Sequence, residues 1–162
     1  MSETQPTDPQ EPTGQPTMRV LTQYLKDLSF ESPASPQSLQ QGLPSPAIEV
    51  SVDVNARRIA DDQYEVELAC SATATRDDET VFVVETNYAG LFFIQNVPQE
   101  QMEPLLLVEA PRMLFPFARQ IVSNATREGG FPPLHLEPLD FGAMYQIQRQ
   151  RAAQNGTPIG NA

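Results

Sequence analysis

The sequence has few of the side chains on which protein chemistry usually depends. Of its 162 residues one is cysteine, one is histidine and none is tryptophan. With a single cysteine, Cys70, no intramolecular disulfide can form. One histidine, His135, leaves too few ligands for a self-contained Cys/His zinc site. We therefore expect no metal site and no required cofactor.

Positive charge and long apolar runs are also scarce. Ten Lys+Arg stand against 21 Asp+Glu, a formal net charge of −11. Recognition of phosphate backbones needs clustered Lys and Arg, so we expect no nucleic-acid partner. No apolar run is long enough for a membrane helix, and no basic segment precedes an apolar run at the N-terminus. We therefore expect neither membrane insertion nor secretion.

No residue combination in the sequence forms a convincing active site. His135 lies between two leucines in a proline-rich stretch, and no spacing gives it a nucleophile or a carboxylate partner. Cys70 falls on the apolar side of an alternating segment, where cysteine behaves as a small buried hydrophobe. Its neighbouring charges are acidic, whereas a reactive thiolate needs positive ones. We therefore expect no catalytic residue and no enzyme.

The pattern of prolines and of apolar residues divides the chain into three parts. Residues 1–17 combine four prolines with Thr, Gln and acids, a composition typical of a disordered tail. Residues 153–162 are expected to be a flexible C-terminal tail. Between them, residues 18–152 form the predicted folded domain.

The domain begins with strands and ends with helices. Alternation of apolar and polar residues predicts strands at 19–31, 48–55, 63–74 and 80–88. The first strand slips register near Lys26 and Asp27, which indicates a bulge, and residues 32–46 form a long connection. Helical spacing then predicts one long helix to Arg127, starting near Pro111 or kinked there, and a short helix at 141–152. This order indicates an α+β fold: a four-stranded antiparallel sheet with both helices on one face.

Two surfaces of this fold could serve function. Strand alternation puts acidic residues of all four strands on one sheet face, which is either an ordinary solvated face or a docking surface for a basic partner. The proline-rich loop after the long helix, together with residues 91–94 in the connection between sheet and helix, carries more apolar side chains than one small sheet can cover. These side chains form core, an interface between chains, or an open groove.

Four segments resemble one known family. They are Tyr24–Pro33 (YLKDLSFESP), Ala60–Val66 (ADDQYEV), Leu114–Arg119 (LFPFAR) and Gly130–Phe141 (GFPPLHLEPLDF). In sequence and in order they resemble SecB, the bacterial protein-export chaperone family, over roughly residues 18–150. The resemblance implies a homotetramer, a dimer of dimers. It also implies an ATP-independent holdase that binds unfolded precursor proteins in the cytoplasm and delivers them to the ATPase SecA.

The resemblance also implies site residues. Matching the family's strand motifs assigns SecA docking to Asp27, Glu31, Val83 and Glu85. By position, the client groove comprises Phe30, Leu43, Ile48, Phe92, Leu134, Leu136, Leu139, Phe141 and Met144. Relatives often have an acidic C-terminal tail, whereas this chain ends in neutral residues. Two alternatives stay open: a small-ligand-binding or enzymatic cleft, which would use His135, Glu137 and Asp140, and an adaptor for one folded partner.

Overall fold

Four long antiparallel strands form one sheet in the order β1-β4-β3-β2. A computed structural model describes residues 14–155. Of the predicted tails, 1–17 and 153–162, residues 1–13 and 156–162 lie outside the described residues. The strands are β1 (Thr17–Glu31), β2 (Ala47–Ala60), β3 (Gln63–Arg76) and β4 (Glu79–Gln95), and the helices are α1 (Gln99–Pro104), α2 (Ala110–Glu128) and α3 (Phe141–Asn155). The predicted α+β fold is confirmed.

Short hairpins connect β2, β3 and β4, and their acidic residues have a conformational role. Asp77 and Asp78 have φ angles of 51° and 62°. Two successive left-handed residues are what a tight two-residue hairpin turn requires, and aspartate tolerates that region better than most residues. The turns therefore set the register in which β3 and β4 pair.

The two faces of the sheet differ in burial. On β3, the alternate residues from Val66 to Ala74 are buried and face the helices. Leu114 and Ala118 of α2 are fully buried against this layer. A Cβ at Gly90 of β4 would come within 2.9 Å of the Leu114 side chain, so glycine allows α2 to approach β4 closely. The other face, here called the open face, carries no helix among the described residues.

The helical part starts earlier than the sequence indicates. Helix α1 continues through a π-helical turn, Leu105–Glu109, directly into α2. The Ala110 N–H donates to the Leu105 carbonyl, five residues back. Pro111 follows, and since proline has no N–H, an ordinary α-helical bond at that position is impossible. The π turn accommodates Pro111 inside one continuous helical run. Helix α3 packs against this π turn.

Several boundaries differ from the sequence prediction. The bulge between Leu25 and Asp27 is confirmed, and a second one lies between Val20 and Thr22. The prediction that residues 91–94 form a connection is wrong, because β4 continues to Gln95 and residues 91–93 pair with both β1 and β3. Residues 153–155, assigned to the C-terminal tail, are the last residues of α3. Among the described residues no helix is long and apolar enough to cross a membrane.

Candidate functional site

The strand register brings the four predicted docking residues onto the open face. In the β1–β4 pair, Glu31 lies opposite Val83, and Glu85 lies opposite Ser29, two residues from Asp27. Residues that pair directly share a face, and alternate residues of a strand do so too. The three carboxylates are exposed and Val83 is half-buried. The acidic residues of β1 and β4 therefore lie side by side on one face, as strand alternation predicts.

A shallow depression of about 270 Å³ extends this surface to β2. Asp27 and Glu85 line it together with Asp53 of β2 and Asn87 of β4. Within residues 14–155, the carboxylates of Asp27, Glu31, Asp53 and Glu85 have no hydrogen-bond or ion-pair partner, and we call these four the acidic surface. Free carboxylates on a flat polar face are available to a cationic partner.

Two other acids of the open face are already neutralised. Glu65 and Glu67 of β3 belong to a charge cluster with Tyr24, Lys26 and Arg57. Lys26 Nζ donates to Glu65 Oε1 at 3.1 Å and also to Glu67 Oε1, and Arg57 Nε donates to Glu65 Oε1 at 3.0 Å. Alternation predicts that Glu65 and Glu67 of strand three belong to the acidic sheet face, and the expectation that they add free charge there is therefore corrected.

The cluster fixes the ionisation of its buried carboxylate. Glu65 is only 6% exposed. Burial opposes ionisation of Glu65, but hydrogen bonds from Tyr24, Lys26 and Arg57 outweigh it and lower its pKa to about 2. Burial and the hydrogen bond to Glu65 raise the pKa of Tyr24 to about 12. Near neutral pH the carboxylate is charged and the phenol is neutral, which is the arrangement a donor and an acceptor need.

An apolar depression lies on the helix side of the sheet. It has a volume of about 410 Å³ and is bounded by the long β1–β2 connection, β2 and the loop after α2. Leu43, Ile48 and Leu134, three of the predicted groove residues, line it. Together with Leu39, Phe82 and Phe131 they make up what we call the apolar depression. Leu39, Leu43 and Ile48 are exposed in the chain.

Phe30 connects this depression to a second apolar surface. Its ring stacks on Phe82 at a centroid distance of 5.9 Å and lies 6.4 Å from the ring of Phe131. On its other side Phe30 lines a shallow depression of about 470 Å³, which it shares with Leu25, Leu28 and residues of α2. Phe30 therefore lies at the junction of two accessible apolar surfaces.

Of the five remaining predicted groove residues, three are buried within the chain and two are half-buried. Phe92, Leu136 and Phe141 are between 0% and 4% exposed. Phe92 belongs to the core, and Phe141 packs edge-on against Phe115 of α2. These three are corrected to core positions, because β4, α3 and the loop after α2 turn Phe92, Phe141 and Leu136 inward. Leu139 and Met144 are half-buried and pack against the core.

Sequence reasoning missed Leu39, Phe82 and Thr126. Thr126 is fully buried, and its Oγ1 accepts a hydrogen bond of 2.9 Å from the Leu134 N–H. That bond fixes the backbone of the loop that carries Leu134. A signal for Phe82 was its alternation with Val84 on the helix side of β4. Leu39 is an isolated leucine in a polar connection, and no pattern distinguishes it.

The residues considered for chemistry have ordinary structural environments. His135 and Glu137 are exposed loop residues. Asp140 Oδ1 accepts a hydrogen bond of 3.0 Å from the Ala143 N–H at the start of α3, as helix-capping side chains do. Cys70 is buried, and burial raises the pKa of its thiol to about 11. None of these arrangements prepares a nucleophile or a base.

Comparison with known proteins agrees with this architecture. The family model described as "Preprotein translocase subunit SecB" matches residues 11–152. A Mesorhizobium japonicum protein-export protein SecB is 53% identical over 132 residues, covering 82% of this chain and 79% of that protein. The SecB of Maricaulis maris is 48% identical over 149 residues, covering 90% of this chain and 87% of the relative. A solved SecB-like chaperone of Mycobacterium tuberculosis, in complex with an antitoxin peptide, has a TM-score of 0.63 and 16% identity, covering 75% of this chain and 90% of that one.

The chain has a SecB-like chaperone fold, defined by the β1-β4-β3-β2 sheet, the long helical run and the two exposed surfaces. The chain belongs to the SecB family of protein-export chaperones, as the family match and the relatives at about half identity show.

Proposed function

We propose that this protein is an ATP-independent holdase that binds unfolded precursor proteins in the cytoplasm and delivers them to SecA. The observation that carries the proposal is the separation of two surfaces by the sheet. Ile48 pairs with Ala74 on the helix side, whereas Glu49 and Thr73, one residue further along, belong to the open face. The apolar depression and the acidic surface therefore lie on opposite faces, and a client and SecA can bind together.

The client surface is the apolar depression with Phe30 at its end. An unfolded chain offers short apolar segments without a fixed shape, so its receptor needs accessible and adaptable apolar side chains. Leu39, Leu43 and Ile48 supply them from a connection and from the edge strand β2. A chaperone that binds only the unfolded client shifts it away from folding by mass action and needs no ATP for this.

The SecA surface is centred on Asp27, Glu31, Val83 and Glu85. Its free carboxylates attract a basic segment, and the half-buried Val83 adds apolar contact between them. The family relationship suggests that the segment is the zinc-bearing C-terminus of SecA. The partner would supply that metal, and no metal of this chain is part of the proposal.

Further exposed apolar residues support the proposal that the chain assembles into a homotetramer. β1 is an edge strand, and Leu21, Leu25 and Leu28 on it are each more than 40% exposed. Met113 and Phe117 of α2 are exposed to a similar extent. An apolar edge strand beside an apolar helix face invites pairing with a second copy. Several client surfaces on one assembly then act together by effective concentration.

The docking assignment is tested with the double variant Asp27→Ala/Glu85→Ala. We expect SecA affinity, measured by calorimetry, to fall by at least about tenfold, since two charged contacts are lost. Light scattering should show an unchanged assembly, and the delay of client refolding should equal that of the wild type. Unchanged SecA affinity would refute the assignment.

A matched control removes two acids elsewhere. Asp77 and Glu79, at the exposed β3–β4 turn, can be replaced in the variant Asp77→Asn/Glu79→Gln, which makes the same net charge change. Asparagine also tolerates the positive φ of Asp77. We expect this control to bind SecA like the wild type. A loss equal to that of Asp27→Ala/Glu85→Ala would indicate that only net charge matters.

A further inference from the structure

The charge cluster lies next to the acidic surface on the open face. Lys26 is the extra residue of the β1 bulge: Leu25 pairs with Tyr88 and Asp27 with Asn87, whereas Lys26 has no partner in the register. The bulge thus places a cation immediately beside Asp27, in a chain with no other lysine. A cation at this point opposes the attraction of a basic partner.

The structure shows how this cation is held away. Lys26 reaches across β4 to Glu65 and Glu67 on β3. In the strand register, Ala89 of β4 lies between Tyr24 of β1 and Glu67 of β3, so the Lys26 side chain crosses β4 at Ala89. Ala89 is fully buried. A larger side chain at 89 would occupy the path that Lys26 takes.

Glu67 also connects the cluster to the acidic surface. Its Oε2 accepts a hydrogen bond of 3.2 Å from Asn87 Nδ2, and Asn87 lines the depression with Asp27 and Glu85. The cluster contains two cations, Lys26 and Arg57, and two carboxylates, so its formal charge is zero. Without Glu67 the cluster would be positive by one charge.

We propose that Glu67 is a positioning residue for SecA docking, which neutralises Lys26 and holds it over Ala89 so that the acidic surface beside it stays purely negative. This inference rests on the docking function proposed above. It assigns to Glu67 an electrostatic role toward a basic segment, through Lys26 and without contact between Glu67 and SecA.

The test compares SecA affinity of the full chain and its variants by calorimetry at about 50 mM and about 300 mM salt, because screening separates charge effects from contact effects. We expect Glu67→Gln to weaken binding about 3- to 10-fold at low salt and less at high salt, as one uncompensated charge near the surface predicts. Lys26→Met/Glu67→Gln, which removes the cation as well, should return to within about twofold of the wild type.

Asp61→Asn is the matched control. It breaks the exposed Arg58–Asp61 pair, of 2.9 Å, in the β2–β3 turn and leaves the same uncompensated cation away from the acidic surface. We expect its SecA affinity to equal that of the wild type. Equal client-refolding delay in all variants would show that they are folded and assembled.

Two results would overturn the inference: wild-type affinity in Glu67→Gln, or a double variant Lys26→Met/Glu67→Gln that is as weak as Glu67→Gln alone. The reference variant Asp27→Ala/Glu85→Ala distinguishes failure of the proposed docking surface from failure of the role proposed for Glu67. If it binds SecA normally, the docking surface and this inference both fail. If it binds weakly while Glu67→Gln binds normally, only the inference fails.

Discussion

The ring of Phe30 lies directly against Gly129 at the end of α2, where a Cβ atom would overlap the ring. The backbone of Gly129 has a φ of −73°, which any residue adopts. Glycine is required there by space and not by conformation. The contact fixes Phe30 where the two apolar surfaces meet, so the end of α2 shapes the proposed client surface.

Replacing Gly129 by alanine should therefore move Phe30. We expect Gly129→Ala to lower client affinity about 2- to 5-fold and to cost about 1–2 kcal/mol of unfolding free energy, because the added methyl overpacks a site with a half-buried ring. Fluorescence titration with an unfolded client and urea unfolding give the two values.

The double variant Gly129→Ala/Phe30→Leu tests whether overlap with the Phe30 ring causes the cost of Gly129→Ala. A smaller side chain at position 30 removes the overlap, so adding Gly129→Ala to Phe30→Leu should cost little stability. An equal cost in both backgrounds would contradict the proposed contact between ring and glycine.

Glu65 should contribute to stability in a defined pH range. Its pKa is lowered from 4.5 to about 2 in the folded chain. A lowered pKa stabilises the fold above the unfolded value, and this contribution disappears as pH falls from about 4.5 to about 2. We expect Glu65→Gln to lower the unfolding free energy at pH 7 by about 1–3 kcal/mol, since Tyr24, Lys26 and Arg57 lose a charged acceptor that is itself buried.

The measurement is urea unfolding of both proteins from pH 7 to pH 2.5. The difference between wild type and Glu65→Gln should narrow steadily below about pH 4.5. If the difference in unfolding free energy stays constant over this range, the cluster does not lower the pKa of Glu65. Glu109→Gln, which breaks an exposed ion pair with Arg112 on α2, should show almost no difference at any pH.

The thiol of Cys70 should be unreactive in the folded protein. It is 2% exposed, and burial raises its pKa from 9.0 to about 11. We expect no reaction with a disulfide reagent at pH 8 over the time in which the urea-unfolded chain reacts completely, since the thiolate is the reactive form. Rapid reaction of the folded protein would contradict the burial of β3.

Leu28 on the edge strand tests the proposed assembly. A charged residue at an exposed apolar position is tolerated in a single chain, but it is costly within an interface. We expect Leu28→Glu to reduce the mass measured by light scattering while the helical and strand content stays unchanged. Ile59→Glu, at an equally exposed position of β2, should keep the wild-type mass.

Local patterns predicted most of the fold. Alternation identified all four strands, and the slip near Lys26 predicted the bulge that the structure contains. The end of β4 was missed, because Leu91 to Ile94 form a continuous apolar run without alternation. Such a run does not distinguish a strand from a connection, and only pairing with β1 and β3 decides it.

The sites were harder to predict because they depend on non-local contacts. The common face of Asp27, Glu31, Val83 and Glu85 was predictable, since alternation along each strand places them there, and their docking role remains a prediction. Glu65 and Glu67 have the same alternation as the free acids, and nothing in the sequence shows that Lys26 reaches them from two strands away. Phe92 resembles an extra apolar residue until α2 is known to cover it.

The most direct measurement of the central claim is a refolding assay with an unfolded client at equal concentration. The wild type should slow recovery of the client's activity without ATP. Leu43→Ser/Leu134→Ser, which makes two lining residues of the apolar depression polar, should slow it much less while staying folded. A wild type that leaves the refolding rate unchanged would contradict the holdase account, and a fully active variant would contradict the assigned client surface.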